Sequence, residues 1–297
     1  MKSIVMGILV IGLALMGTMS VADQGGQSMK TLGKVTVIKR DKATIHSYMA
    51  PEDSALVTSQ IIETKNNLVV VDAQFLRPYA KDLYNYIKSL NKPVERIVIT
   101  HSHPDHWFGL EYFQDFPIYA LNETQQEIRD LGDMIIESKK PVLSDLVTDQ
   151  KVVPTHVIQE GRETIDGLNY EFEKVLDAEA GVQLLIKIPE INTLVTQDLV
   201  YNHVHLFIGQ GAFDGWVSAV NQIKNQDQFK TFLVGHGEPA QASVLESVLS
   251  YVEDAKQIHE SVDSGEDLKA GLVDKYPTYR APILLDISNS FLYQVDR

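Results

Sequence analysis

The chain of 297 residues contains no cysteine. Disulfides, thiolate metal ligands and a cysteine nucleophile are therefore excluded, and the fold must rest on its core. Basic residues are scarce too: 26 Lys and Arg stand against 40 Asp and Glu, a formal net charge of -14. An acidic surface disfavours nucleic acid or an anionic membrane as partner, and most of that charge serves solubility. Beyond the first 22 residues no stretch is apolar enough to span a bilayer.

The N-terminal run is read as a removable signal peptide, residues 1–22. Lys2 supplies a positive start, residues 4–16 are apolar, and Ser20-Val21-Ala22 places small residues where a signal peptidase cuts. No cysteine follows, so no lipid anchor forms there and the mature chain has no stable membrane anchor. The periplasm is the expected compartment, with full secretion as the second choice. About 275 residues remain, with a charge near -15. That length fits one α/β domain or one domain with a helical appendage. Residues 23–33, rich in Gly, Gln and Ser, read as a disordered linker, and 34–297 as a single domain with a C-terminal helical segment.

Hydrophobic patterning divides the domain into strands then helices, twice. Strand-like runs occupy 34–40, 43–49, 56–63 and 68–73, with Asn66-Asn67 as a hairpin turn. A helical pattern follows over 77–90, then a strand at 94–100. A helix is expected from about 122 to Ser138, and a loop or lid over 139–150. The second series has strands at 151–159, 169–176, 183–188 and 193–196, a helix at 211–223, a short strand at 231–234 and an amphipathic helix at 241–259. Trp216 reads as a core aromatic, and His46, His156 and His259 as structural or exposed.

The chemistry concentrates in His101-Ser102-His103-Pro104-Asp105-His106. Three imidazoles and a carboxylate in six residues suit Zn, Fe, Ni, Cu or Mn. The preceding β-branched run places them just past the carboxyl end of a buried strand, where open α/β sheets put their chemistry.

The pattern His-x-His-x-Asp-His resembles the metallo-β-lactamase superfamily. That resemblance implies an αββα sandwich, two mixed β-sheets face to face between helical layers, with metals at one edge. It also implies further ligands. Asp198, after another buried strand, is similar to the carboxylate that bridges two metals. His236, in Gly235-His236-Gly237-Glu238-Pro239, is similar to the last ligand. Asp72, ending Leu68-Val69-Val70-Val71-Asp72, is similar to the aspartate that orients the metal loop without ligating. Where the family usually has a third histidine this chain has Asp177-Ala178-Glu179-Ala180-Gly181. Either carboxylate can fill the place. The Ala-Glu-Ala pattern resembles the alkylsulfatase branch and favours Glu179, leaving Asp177 beside the ligands. His203 and His205 are candidates for contacting substrate.

The resemblance therefore implies two divalent metal ions, zinc first and manganese or iron as alternatives. His101, His103 and Glu179 would hold one, and Asp105, His106 and His236 the other, with Asp198 between them. Such a pair generates hydroxide from a shared water at neutral pH, and Asp105 is the natural proton shuttle. The expected function is an exported metal-dependent hydrolase of a small-molecule ester-type substrate: an ester, a lactone or a sulfate ester. A β-lactamase-type amide hydrolase is the alternative, weakened by the carboxylate at the third-ligand place. A redox di-iron protein and a non-hydrolytic periplasmic metal-binding or maturation protein lie outside hydrolysis. Substrate specificity is expected in the loops 139–150 and 203–212 and at the end of the C-terminal helix. Oligomeric state leaves no mark in the sequence.

Overall fold

The period-2 alternation of residues 68–71 decides the layering. In the computed structural model, which describes residues 30–226 and 228–293, Val69 and Val71 face one apolar layer and Leu68 and Val70 another. A strand buried on both faces needs a sheet on one side and helices on the other. The protein has this arrangement on both sides of a shared core.

The first sheet contains β1 (Lys34–Lys39), β2 (Thr44–Met49), β3 (Thr58–Glu63), β4 (Leu68–Val71), β5 (Val94–Ile99), β6 (Ile118–Ala120) and β7 (His156–Val157), in that order. The pairs β1 to β4 are antiparallel, and those from β4 to β7 parallel. The second sheet has the order β12 (Thr231–His236), β11 (Thr193–Tyr201), β10 (Val182–Ile188), β9 (Leu168–Leu176), β8 (Gly161–Ile165), with only the β11–β12 pair parallel. Between the sheets pack Ile45, Val69, Val71 and Val98 from the first, and Phe172, Leu184, Ile186, Val195 and Leu233 from the second.

Helices α1 (Arg77–Ser89), α2 (Pro104–Trp107) and α3 (Asn122–Leu143) cover the outer face of the first sheet. Helices α4 (Phe213–Lys224), α5 (Ser243–Ser261), α6 (Gly265–Lys275) and α7 (Ile283–Leu292) cover that of the second. Two mixed sheets flanked by helices make the αββα sandwich. No helix among the described residues is long and apolar enough to cross a membrane.

Several local expectations are corrected. The strand expected at 151–159 shrinks to His156–Val157, because its partner β6 is three residues long and has no further ladder to offer. Strand β8 was not foreseen, since four of its five residues are exposed. Its turn, Asp166-Gly167, has φ of 44° and 81°, the double left-handed geometry that joins two-residue hairpins. The lid expected at 139–150 begins as helix: α3 continues through Pro141 to Leu143. A proline there costs only a hydrogen bond near the helix end. Strand β11 runs on to Tyr201, so Asp198 lies within a strand. The signal peptide, 1–22, lies outside the described residues, as does the linker up to 29. At its other end Leu32 and Gly33 are tied down, their N–H groups donating to Asp82 Oδ2 (2.7 Å) and Tyr48 Oη (3.2 Å).

Candidate metal centre

Four chain segments converge where parallel strands end. The 101–106 loop leaves β5, Glu179 sits in the β9–β10 turn, Asp198 lies in β11, and His236 ends β12. The structure brings all seven expected donors into two groups, and in each group the donor atoms lie within 4.8 Å of one another. One is His101, His103, Glu179 and Asp198; the other is Asp105, His106, Asp198 and His236. Asp198 belongs to both.

The geometry is tight. His103 Nδ1 is 3.1 Å from Glu179 Oε1, and His101 Nε2 is 3.7 Å from Glu179 Oε2. Asp198 Oδ1 faces His106 Nε2 at 3.2 Å, while its Oδ2 faces His236 Nε2 at 3.3 Å and His101 Nε2 at 3.8 Å. Asp105 Oδ2 stands 3.3 Å from His236 Nε2 and 3.6 Å from His106 Nε2. Only the side chains of His103 and Asp105 reach solvent, at 19% and 21% exposure.

Three imidazoles are aimed by bonds on their far side. His101 Nδ1 meets Thr100 Oγ1 at 3.1 Å, His106 Nδ1 meets Asp72 Oδ2 at 2.8 Å, and His236 Nδ1 meets the Ala55 carbonyl at 2.8 Å. Each therefore turns Nε2 inward. Those three Nε2 atoms and Asp198 Oδ1 are buried and have no hydrogen-bond partner. Buried polar atoms without partners are costly. Here they are imidazole and carboxylate atoms divided between the two donor groups, with Asp198 common to both, a set that fits divalent cations of the zinc, manganese or iron type.

Electrostatics follow from packing acids against imidazoles out of water. Burial pulls the His106 pKa down, but Asp198, Asp105 and Asp72 overcome it and hold it well above the usual value. Burial also opposes the rise at His236, which Asp198 and Asp105 nevertheless push up to about 10. Glu179 is raised to about 7, by burial first and by Asp198, against the pull of His103. Burial lowers His101 well below its usual value, helped by His106 and His103. Asp198 is held far down by His106 and His236 in spite of burial.

Three participants were not singled out from sequence. Tyr201 Oη donates to Asp198 Oδ2 at 2.8 Å and lies 3.4 Å from Glu179 Oε1. Burial, then Asp198 and Glu179, raise its pKa well above the ordinary phenol value, so it remains a donor. Gln183 donates to Glu179, and Gln197 donates to Asp72 Oδ2 at 2.5 Å. The signal for Tyr201 was its place three residues after Asp198; a buried glutamine announces nothing.

Asp72 is buried and lies outside both donor groups. It accepts from Thr100 N (2.9 Å), Thr100 Oγ1 (2.9 Å) and His106. Asp177 is not brought to the donors. It is exposed, has φ of 51°, and makes the turn by donating its N–H to the Gly181 carbonyl. His205 is buried in a tyrosine cluster, its Nδ1 2.8 Å from Tyr251 Oη. His203 is exposed with φ of 54° and its ring 5.6 Å from Tyr279. Neither joins the donor groups. From the 203–212 loop the residue that does reach the donors is Phe207, edge-on to His103 at 5.1 Å and to Phe291 of α7 at 5.6 Å. The stretch 139–150 binds elsewhere, through Arg77, which donates to the Asp145 carbonyl and to Asp149.

Residues 56–194 match the family model of the metallo-beta-lactamase superfamily. No curated protein matches the chain. Similar solved structures include a metallo-beta-lactamase from Pontibacter korlensis, at 20% identity and a TM-score of 0.58, covering 74% of this chain and 100% of that one. Another is the metallo-beta-lactamase IND-7, at 19% identity and 0.60, covering 74% and 98%. The mono-zinc form of FIM-1 from Pseudomonas aeruginosa follows at 16% and 0.55, covering 75% and 96%. At these identities the likeness carries the fold alone. The family match and the His-x-His-x-Asp-His loop at the sheet edge identify the segment 56–194 as one of the metallo-β-lactamase superfamily.

Proposed function

We propose that the protein is a two-metal hydrolase acting on a small ester-type substrate: an ester, a lactone or a sulfate ester. The observation that carries this reading is the shared carboxylate: Asp198 belongs to both donor groups. His101, His103 and Glu179 would hold one cation, Asp105, His106 and His236 the other, and Asp198 both. Zinc suits this nitrogen and oxygen donor set, with manganese or iron as alternatives. When bound, such a pair activates water as a nucleophile and polarises the bond to be cleaved.

The chain's own groups supply the rest. Asp105 is the partly exposed carboxylate of the site, which makes it the group to carry a proton to the departing atom. Tyr201 Oη, held protonated, keeps Asp198 oriented through Oδ2. Phe207 supplies an apolar wall beside His103 and excludes water on that side. Glu179 also lines a narrow crevice with Phe207, Ile208, Phe213 and Trp216, in which it is the sole charged group. A larger surface cavity, lined by Arg40, Thr231 and Gln241, contains none of the donors.

A second reading, amide hydrolysis of a β-lactam, takes its support from the names of the structural neighbours. A carboxylate in each donor group beyond Asp105 argues for the ester reading. Export to the periplasm is part of the proposal and rests on the N-terminal run alone.

The test is a hydrolysis panel on the metal-quantified protein, with activated esters, lactones, sulfate esters, phosphodiesters and a β-lactam, and with His106→Ala as control. Turnover of an ester, lactone or sulfate ester that His106→Ala abolishes supports the proposal. Turnover of the β-lactam alone replaces it with the second reading, and a metal-loaded protein that cleaves nothing on the panel overturns it.

A further inference from the structure

Gln197 and Asp198 are neighbours in one strand, yet both side chains serve the same imidazole. In regular β-structure successive side chains point to opposite faces. Here β11 slips against β12 on both sides of Gln197: Val195 pairs with Leu233, Gln197 with Val234, and Tyr201 with His236. Gln197 itself has φ of 41°, left-handed backbone that a glutamine rarely adopts. Strain of this kind persists only where surrounding structure over-determines it.

The result is a clamp on His106. Asp198 Oδ1 faces its Nε2 at 3.2 Å. Gln197 Nε2 donates at 2.5 Å to Asp72 Oδ2, the oxygen that receives His106 Nδ1 at 2.8 Å. Gln197 is itself held: its Oε1 accepts from Gln60 Nε2 at 3.3 Å, and Gln60 Nε2 also donates to Thr58 Oγ1 at 2.8 Å. Thr58 Oγ1 in turn donates to the Val234 carbonyl at 2.5 Å, two residues before His236. Gln60, Asp72, His106, Gln197 and Thr58 are each at most 1% exposed. A buried chain of bonds thus runs from β12 through β3 and β11 to Asp72 and the metal loop.

We infer that Gln197 is a positioning residue. It fixes the Asp72 carboxylate that meets His106 Nδ1, so that the ring is held with Nε2 turned toward the second donor group, and the β11 bulge sets this in register with Asp198. The inference rests on the two-metal reading above and extends it to a residue that ligates nothing. Partners of this kind that orient metal-binding histidines change affinity by about 10–100-fold when removed.

The test is Gln197→Met, close in volume and lacking the donor, followed by cobalt(II) titration of the metal-free protein with visible spectroscopy and chelator competition. The expected result is one ion bound as in the wild type and the other weakened by about 10–100-fold, with a changed cobalt absorption band. Equal affinity for both ions and an unchanged band would overturn the inference while leaving the two-metal reading intact. A wild-type protein that takes up fewer than two ions overturns both. If Gln197→Met does not fold, Gln60→Met keeps the question open to measurement. It leaves Asp72 its donor but frees Gln197 Oε1, so a smaller weakening of the same ion is expected, and none overturns the inference.

Discussion

Tyr201 lies flat on His236, ring centroids 4.6 Å apart and planes 9° from parallel. Strand pairing makes this contact, because Tyr201 and His236 are register partners at the ends of β11 and β12. One side chain therefore does two things. Its ring fixes the plane of an imidazole donor, and its hydroxyl orients the shared carboxylate.

Tyr201→Phe separates the two. The ring contact stays and the hydroxyl goes, so the fold should lose only about 1 kcal/mol. Turnover of a substrate found on the panel should fall by about 10–100-fold, with metal content little changed. A variant as active as the wild type would show that the hydroxyl is an onlooker.

The donor groups share Asp198 but not His103. Asp198→Ala should therefore abolish retention of both ions after dialysis, whereas His103→Ala should lose one and keep the other. Elemental analysis of the two dialysed variants decides it. Equal metal content in both would mean that the shared carboxylate is not shared in function.

What could be read in advance follows from how information lies along the chain. The strand at 94–99 and the ligands of 101–106 are contiguous, so periodicity and residue type announce them together. Glu179, Asp198 and His236 were legible only through the family resemblance, which says where along the chain the further ligands lie. Gln183, Gln197 and Tyr201 were not, because their roles depend on a bulge that breaks the period-2 rule and on which sheet faces them. Asp177 was misplaced for a related reason. Its φ of 51° makes it the turn residue, and only the folded turn shows that Glu179, two residues on, points inward. His205 has ligand chemistry but a tyrosine cluster claims it.

The β9–β10 turn owes its position to a glycine outside it. A Cβ added to Gly215 on α4 would stand 1.8 Å from the Asp177 carbonyl oxygen. That atom is backbone and cannot rotate away, so Gly215→Ala must push the turn that carries Glu179. A stability loss of about 1–3 kcal/mol is expected, together with weaker binding of the ion held by His101, His103 and Glu179. The other ion should bind as before. Ser218→Ala, exposed on the same helix, is the control and should change neither. Unaltered metal affinity in Gly215→Ala would mean that the turn's position does not matter to the site.

His205 predicts part of the acid limb of stability. Burial, and then Lys269, lower its pKa from 6.5 to about 4. The groups facing it are Tyr251, whose hydroxyl bonds Nδ1, the ring of Tyr279 at 5.9 Å, and Lys269; no carboxylate is among them. The folded protein therefore keeps this imidazole neutral in a range where the unfolded chain protonates it. The unfolded state binds more protons there, so stability falls as pH drops from about 6.5 to about 4 and levels off below. His205→Gln retains a polar partner for Tyr251 and cannot titrate. Against the wild type it should be least favourable near neutrality and gain ground steadily through that window. Urea midpoints of the two proteins at a series of pH values measure this, and parallel curves would show that His205 titrates alike in both states.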